Sequence, residues 1–359
     1  MANNIAIILY DFTIAGGVQR TTMYFAKVLA ECEFNVDIIT FFTKDDVFDL
    51  LHETIGGLPS NIRLLKLEVP RTSVTLVSIL SRIMQHKLKN YNIVVNMHGD
   101  VQPVKGELVY FHQFNVDYSF FTGNMLQKAK LVPLWQMRRK FIEELKRDNT
   151  LIAVNSAWTK AEAIRFWNLK NVYVLYPPIP IEKLRRYAGR PRSKDYVVTV
   201  SRFSPDRGIE NVLKLARQIP YAKFIIAGYI QNAKYFTHLL MEKPNNVLLC
   251  PTISEDYKMK LLREAKVYLN PTPWVEGFGI AVAEGMAAGL IPVTKNIGGV
   301  VDFVPEKYRF NDLSEARKIV KEALKNWSVE ASLHISNLVN RFSIDKFRSR
   351  VLELINCAK

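Results

Sequence analysis

Residues 269–304 read LNPTPWVEGFGIAVAEGMAAGLIPVTKNIGGVVDFV. The apolar run Val267–Asn270 ends in a proline-rich loop that carries Glu276. Gly277, Phe278 and Gly279 follow, and glycine there exposes backbone N–H groups. A helix then begins near Gly279 and carries Glu284 in its early turns. Ala281, Ala283, Gly285, Ala287, Ala288 and Gly289 let it pack close to its neighbours. A second apolar run, Ile291–Thr294, comes next. Strand, loop, helix and strand in this order make a βαβ unit with parallel strands.

The same alternation extends in both directions. In the first half the runs Ile5–Tyr10, Val36–Phe41, Ile62–Leu67, Ile93–Met97, Leu108–Phe111, Leu151–Val154 and Val172–Leu175 read as strands, with helices at Thr21–Ala30 and Leu134–Arg147. They are rich in Val and Ile and mostly lack polar alternation, as strands buried on both faces do. In the second half Tyr196–Ser201, Phe224–Gly228, Val247–Cys250, Val267–Asn270 and Ile291–Thr294 are strands. Ile209–Gln218, Tyr257–Ala265, Ile280–Ala288 and Ser314–Asn326 are helices. Between the halves, YPPIPIEKLRRYAGRPRSKD is dense in proline and charge, and residues 179–195 read as a linker. The fold class is therefore α/β: two doubly wound parallel-sheet domains, residues 1–178 and 196–340, with a cleft between them. Ligands in such sheets sit at the carboxyl ends of the strands.

The chain has 359 residues, 48% of them hydrophobic and 23% charged, which suits two globular domains and excludes a disordered chain. Its net charge of +15 favours anionic partners without choosing among them. Cys32, Cys250 and Cys357 are far apart and form no Cys-x-x-Cys pair, so the expected compartment is reducing. The opening MANNIAIILYDF reads as a strand rather than a signal peptide. No run is long and apolar enough to span a membrane.

Three places carry chemistry. Gly16 and Gly17 follow the first strand and precede a helix, where backbone approaches a ligand closely and the helix N-terminus favours an anion. In SRFSPDRGIENVLKLA, Arg202 ends a strand and Arg207 precedes a helix, so two guanidiniums stand ready to clamp a diphosphate. In the opening stretch, Glu276 and Glu284 lie on either side of Phe278-Gly279, placed to accept hydroxyls from two parts of one ligand. Each place also has a plainer reading, as a flexible turn, a solvated loop, or carboxylates that complement a helix end. His98 and His112 each follow an apolar strand, and the residues alone do not separate them. No Asp-x-Asp, His-Glu-x-x-His or Gly-x-x-x-x-Gly-Lys-Ser/Thr motif occurs, so neither a metal site nor a P-loop is expected.

Glu276-x7-Glu284 within EGFGIAVAEGMAAGLIPV resembles the signature of the retaining nucleotide-sugar glycosyltransferases of family four. GGVQR, FHQF at residues 111–114, SRFSPDRG, and Gly298-Gly299 with Asp302 extend the resemblance in order along the chain. NVYVLYPPI, Trp274 and the FGI-x-V-x-E-x-MAAG-x-I string are most similar to the α-1,2-mannosyltransferases that extend lipid-linked oligosaccharides. The resemblance implies two Rossmann-like domains of the B type, the first on the acceptor side and the second binding the nucleotide-sugar. It also implies that residues 341–359 form a helix returning to the first domain. Glu284 would bind ribose hydroxyls, Glu276 the transferred sugar, and backbone at Phe278, Gly279 and Ile280 sugar hydroxyls and phosphate. Arg202 and Arg207 would neutralise the leaving diphosphate, Gly16 and Gly17 would approach it, and His112 would lie beside the reacting sugar. One position departs from the family, which usually has lysine where Arg207 stands.

These matches imply transfer of a hexose to an acceptor hydroxyl with retention, without metal. GDP-mannose is the favoured donor and UDP-glucose the next. The acceptor would be a glycan or a lipid-linked glycan. Two other readings compete. A nucleic-acid-binding protein would suit the charge, but no recognition motif for nucleic acid occurs. A same-fold nucleotide-sugar epimerase would use the same donor site.

A membrane contact is the last expectation. In residues 126–147, Leu134, Met137, Phe141 and Leu145 form one helical stripe, flanked by Trp135. Arg138, Arg139, Lys140, Lys146 and Arg147, with Lys128 and Lys130 before them, supply charge. Such a helix either packs its stripe on the sheet or lies on an anionic lipid surface. The second choice implies a cytoplasmic protein held peripherally on the inner membrane face.

Overall fold

The computed structural model describes residues 4–67, 84–114, 117 and 125–358. It divides into two compact units, Met1–Pro178 with Asp345–Lys359, and Ile179–Ile344. The first unit runs β1 (Asn4–Phe12), α1 (Gly17–Ala30), β2 (Asn35–Thr43), α2 (Asp45–Thr54), β3 (Ile62–Lys66), β4 (Ile93–Asn96), β5 (Leu108–Phe111), α3 (Met125–Arg147), β6 (Leu151–Val154), α4 (Ala157–Trp167) and β7 (Val172–Val174). Its strands lie in the order β3-β2-β1-β4-β5-β6-β7 and all pair in parallel. Ile5, Ile7, Ile8 and Leu9 are all fully buried, because β1 is covered on both faces.

The second unit runs α5 (Ile181–Arg185), β8 (Tyr196–Val200), α6 (Ile209–Gln218), β9 (Lys223–Gly228), α7 (Ala233–Glu242), β10 (Val247–Pro251), α8 (Glu255–Glu264), β11 (Val267–Asn270), α9 (Ile280–Ala287), β12 (Ile291–Lys295), β13 (Arg309–Phe310), α10 (Leu313–Lys325) and α11 (Val329–Leu338). Its sheet is also parallel, in the order β10-β9-β8-β11-β12-β13. The chain then enters α12 (Ile344–Ala358), where Phe347 meets Phe25 of α1 edge-on at 6.4 Å. Among the described residues no helix is long and apolar enough to cross a membrane.

Two features bear on the sequence reading. Residues 179–195 are not a free linker but belong to the second unit. Arg192 is the reason: its buried guanidinium donates to the carbonyls of Ala265 and Ala288 and lies over the Trp327 ring. Desolvation there lowers its pKa to about 10. Helix α3 turns its stripe inward. Phe141, Ile142 and Leu145 are buried with Val109, Phe111 and Trp167, and Trp135 stacks on Trp167 at 5.8 Å. Arg138 is buried too, paired with Asp117 at 2.6 Å. Of the predicted stripe, Phe141 and Leu145 are thus taken up by the core of the first unit, while Leu134 and Met137 are half-buried.

Candidate active site

In the second unit the strand order reverses between β8 and β11. A parallel sheet opens a crevice at such a point, beyond the carboxyl ends of its strands. The loop after β8 brings Arg202 and Arg207, and the loop after β11 brings Glu276. Arg207 Nη1 donates to Glu276 Oε1 at 2.6 Å. Asn270 Nδ2, at the end of β11, donates to Glu276 Oε2 at 2.9 Å. Both carboxylate oxygens are therefore engaged. Gly208, at φ 64°, closes the first loop where an added Cβ would lie 2.6 Å from the Pro271 carbonyl oxygen. Only glycine allows the two loops to approach this closely.

Asp206 lies between the arginines. Its Oδ2 is 2.6 Å from Arg202 Nη2 and 3.4 Å from Arg207 Nε. Burial pushes this carboxyl up, but the Ser204 hydroxyl and the two guanidiniums outweigh that and hold it below the usual carboxylate value. Two cations thus converge on one anionic oxygen, the arrangement a diphosphate oxygen requires.

Helix α9 starts behind Glu276. Gly279 is its N-cap, at φ 95° and ψ 56°, and no acidic side chain occupies the first turn. The amide groups of that turn have no partner within the helix, and the dipole favours an anion in front of them. Phe278 is anchored by Phe303 at 5.1 Å and Phe342 at 4.9 Å. The Gly298-Gly299 turn presses on the same loop. Gly299 N donates to the Glu276 carbonyl at 2.8 Å. A Cβ on Gly299 would fall 2.0 Å from Gly277 O, and one on Gly298, at φ 82°, 2.5 Å from Glu276 O. Glu284, 4% exposed, faces Lys258 of α8 at 3.6 Å.

In the first unit the order reverses between β1 and β4. Gly16 and Gly17 stand at the start of α1, beyond β1. Gly16 is extended, at φ −91° and ψ 178°, so space rather than an unusual φ matters there: its added Cβ would lie 2.7 Å from Gln19 Oε1. His98 follows β4 and His112 follows β5, and the structure brings their rings together at 5.8 Å. Nε2 of His112 lies 2.8 Å from the Met97 carbonyl oxygen. A carbonyl only accepts, so Nε2 carries the proton and Nδ1 holds the lone pair. Burial lowers this imidazole to about 4, against the opposing charge of Asp100 and with help from His98. Asp100 Oδ1 accepts from His112 N at 3.2 Å, and Arg138 Nη1 donates to the Asp100 carbonyl at 2.7 Å.

The second unit also matches a known family. Residues 180–333 match the family described as "Glycosyl transferases group 1". This stretch is a glycosyl transferases group 1 domain. The chain is 24% identical to the GDP-Man:Man(3)GlcNAc(2)-PP-Dol α-1,2-mannosyltransferase of Dictyostelium discoideum, over 68% of this chain and 54% of that protein. The chain thus spans about half the length of that curated relative, and 37% of a namesake from Kluyveromyces lactis. Among solved structures, sucrose-phosphate synthase of Thermosynechococcus elongatus superposes with a TM-score of 0.76 at 16% identity, covering 99% of this chain and 98% of that one. Anabaena HepE in complex with UDP and glucose gives 0.75 at 14% identity, covering 98% and 99%. The fold is that of these two-domain, B-type glycosyltransferases.

Within the group 1 domain, the structure gathers Arg202, Arg207, Glu276, Phe278, Gly279, Ile280 and Glu284 around the β8–β11 switch point. Gly16, Gly17 and His112 lie at the carboxyl ends of strands in the first unit. Three further members carry no sequence signal of their own: Asn270 ends the strand Val267–Asn270, Asp206 lies within SRFSPDRG, and Lys258 lies within the helix Tyr257–Ala265. The spacing of Asn270 from Glu276 gives no local signal, because the contact depends on how the loop folds back.

Proposed function

We propose that this chain is a retaining glycosyltransferase that moves a hexose from a nucleoside-diphosphate sugar to an acceptor hydroxyl, with GDP-mannose as donor and a glycan or lipid-linked glycan as acceptor. One observation carries the reading: two arginines and a helix N-terminus converge beside a carboxylate at the switch point of a group 1 domain. As the sugar leaves, negative charge grows on the diphosphate. Arg202, Arg207 and the first turn of α9 stabilise it without a metal ion. Glu284 accepts ribose hydroxyls and Glu276 contacts the sugar. With both its oxygens held by Arg207 and Asn270, Glu276 is a poor nucleophile for double displacement. That favours a front-face route in which the departing phosphate assists the incoming hydroxyl. His112 is neutral near pH 7, so it serves the sugar as a hydrogen-bonding group rather than as a cation.

The name of the Dictyostelium relative supports GDP-mannose and a lipid-linked acceptor. The UDP and glucose in the Anabaena structure keep UDP-glucose as the next donor. A donor screen tests the reading: nucleoside-diphosphate release across GDP- and UDP-sugars, with and without acceptor and with EDTA. GDP release from GDP-mannose in EDTA supports it. Release from UDP-sugars alone overturns the donor, and release only with added magnesium or manganese overturns metal independence. Conversion of the sugar without transfer favours an epimerase.

A further inference from the structure

Lys258 stands on α8 among inward-facing Met259, Leu261 and Leu262 and is itself buried. Its ammonium lies 2.8 Å from Glu255 Oε1 and 3.6 Å from Glu284 Oε2. A lysine satisfied by Glu255 alone could stay in solvent with it, since Glu255 lies in the exposed first turn of the same helix. Burying an ammonium is unfavourable unless an anion receives it inside. Glu284 is that anion. It lies on α9, a different helix, and its carboxylate is 5% exposed.

We propose that Lys258 is a positioning residue for Glu284, keeping its buried carboxylate ionised and aimed so that it accepts ribose hydroxyls of the nucleotide. The inference rests on the reading of Glu284 given above. Burial alone favours the neutral acid, whereas a cation within about 4–6 Å favours the carboxylate. An ionised acceptor makes the stronger hydrogen bond to a hydroxyl. Two other groups in this field are engaged elsewhere. The Tyr268 hydroxyl on β11 donates to Val200 O, and burial keeps it protonated. Arg207 is bound to Glu276 and Asp206.

The test is calorimetric titration of GDP, and in parallel UDP, into wild type, Lys258→Met, Lys258→Gln and Glu284→Gln from pH 5 to pH 8. Methionine keeps the apolar stem and removes the charge. Removing the cation raises the Glu284 pKa, so nucleotide affinity should fall as pH drops through a higher value. The expected result is near wild-type affinity at pH 8 and roughly tenfold weaker binding near pH 5.5 in both lysine variants. Wild type should stay flatter over that range. Glu284→Gln should bind more weakly at every pH and show no such limb. If the lysine variants match wild type at every pH, or weaken equally at every pH, while Glu284→Gln weakens binding, the Lys258 inference fails alone. If Glu284→Gln binds as wild type does, or wild type binds neither nucleotide, the ribose reading of Glu284 fails first. Lys258→Gln keeps the test decisive should the methionine variant not fold.

Discussion

Arg207 and Glu276 meet at 2.6 Å although 69 positions separate them in the chain. Their loops leave different strands, β8 and β11, and only the parallel order of the sheet places those strand ends side by side. The side chains are 23% and 28% exposed, so the pair holds the fold together only weakly. An ion pair this open contributes ~0–1 kcal/mol to stability. Its worth lies in the charge it presents to a ligand.

Arg207→Ala should therefore separate activity from stability. The unfolding midpoint should move by only a few degrees, as expected for about 1 kcal/mol. The transfer rate at saturating donor should fall about 100-fold, the usual scale for losing one donor aimed at developing charge. Arg202→Ala should behave alike. Both quantities come from donor turnover and thermal unfolding of the same preparations. Unchanged rates in both variants would remove the arginines from the mechanism.

Gly299→Ala should damage the site through backbone. The new methyl would lie 2.0 Å from Gly277 O, and a carbonyl in a tight loop has little room to retreat. Overpacking of this kind costs about 1–3 kcal/mol. The 276–278 loop carries the strain, so turnover should drop by more than nucleotide affinity. A variant with wild-type turnover and midpoint would show that the loop yields freely.

His112 should make the first unit acid-sensitive. Its ordinary value of 6.5 falls to about 4 in the fold, chiefly through burial. Between those values the unfolded chain binds a proton that the native ring refuses, so stability rises with pH and is lost as pH falls from 6.5 toward 4. The single-site contribution is about 2–3 kcal/mol between pH 7.5 and pH 4.5. His112→Asn abolishes it. The stability gap between wild type and variant, from denaturant unfolding at the two pH values, should shrink by that amount in acid. A constant gap would mean that the ring is hydrated in solution.

Most strands were legible because a strand segment buried on both faces is continuously apolar, as in Ile5–Leu9 of β1 and in β5. The α9 region was legible because glycines and small residues leave few alternatives to a tight loop and a close-packed helix. Helices α2, α4, α7 and α11 were missed, for their apolar positions are mixed with charge and their partners lie far along the chain. Arg192 misled the reading of residues 179–195: arginine in a proline-rich stretch looks solvated, and only the tertiary fold supplies the carbonyls that receive it. The same limit hid Lys258. A charged side chain is read as exposed until the structure shows the anion that draws it inside.

A membrane contact through α3 keeps its charges but loses the Phe141–Leu145 half of its apolar stripe, and that changes what binding should look like. Phe141 and Leu145 are buried, and Arg138 is held by Asp117. Arg139, Lys140, Lys146 and Arg147 remain exposed, although Lys146 is paired with Glu143 at 2.8 Å. Lys130 is not among the residues whose side chains are described. Each free basic residue near an anionic surface contributes about 1 kcal/mol, and this attraction fades within a Debye length. Contact by charge alone is therefore weak, reversible and sensitive to salt, with no penetration of the acyl region. In co-sedimentation with phosphatidylserine-rich vesicles the protein should pellet at low ionic strength and be released by 0.5 M salt, a concentration at which the Debye length is only a few ångströms. Neutral vesicles should not retain it. Arg139→Glu with Lys140→Glu should abolish the pelleting and leave GDP binding intact. Arg138→Glu should instead destabilise the first unit, since it sets a second buried carboxylate against Asp117. Salt-resistant binding, or a shift of Trp135 fluorescence on contact with lipid, would mean that α3 leaves the core to insert. Failure to pellet with anionic vesicles at low salt would favour a soluble acceptor.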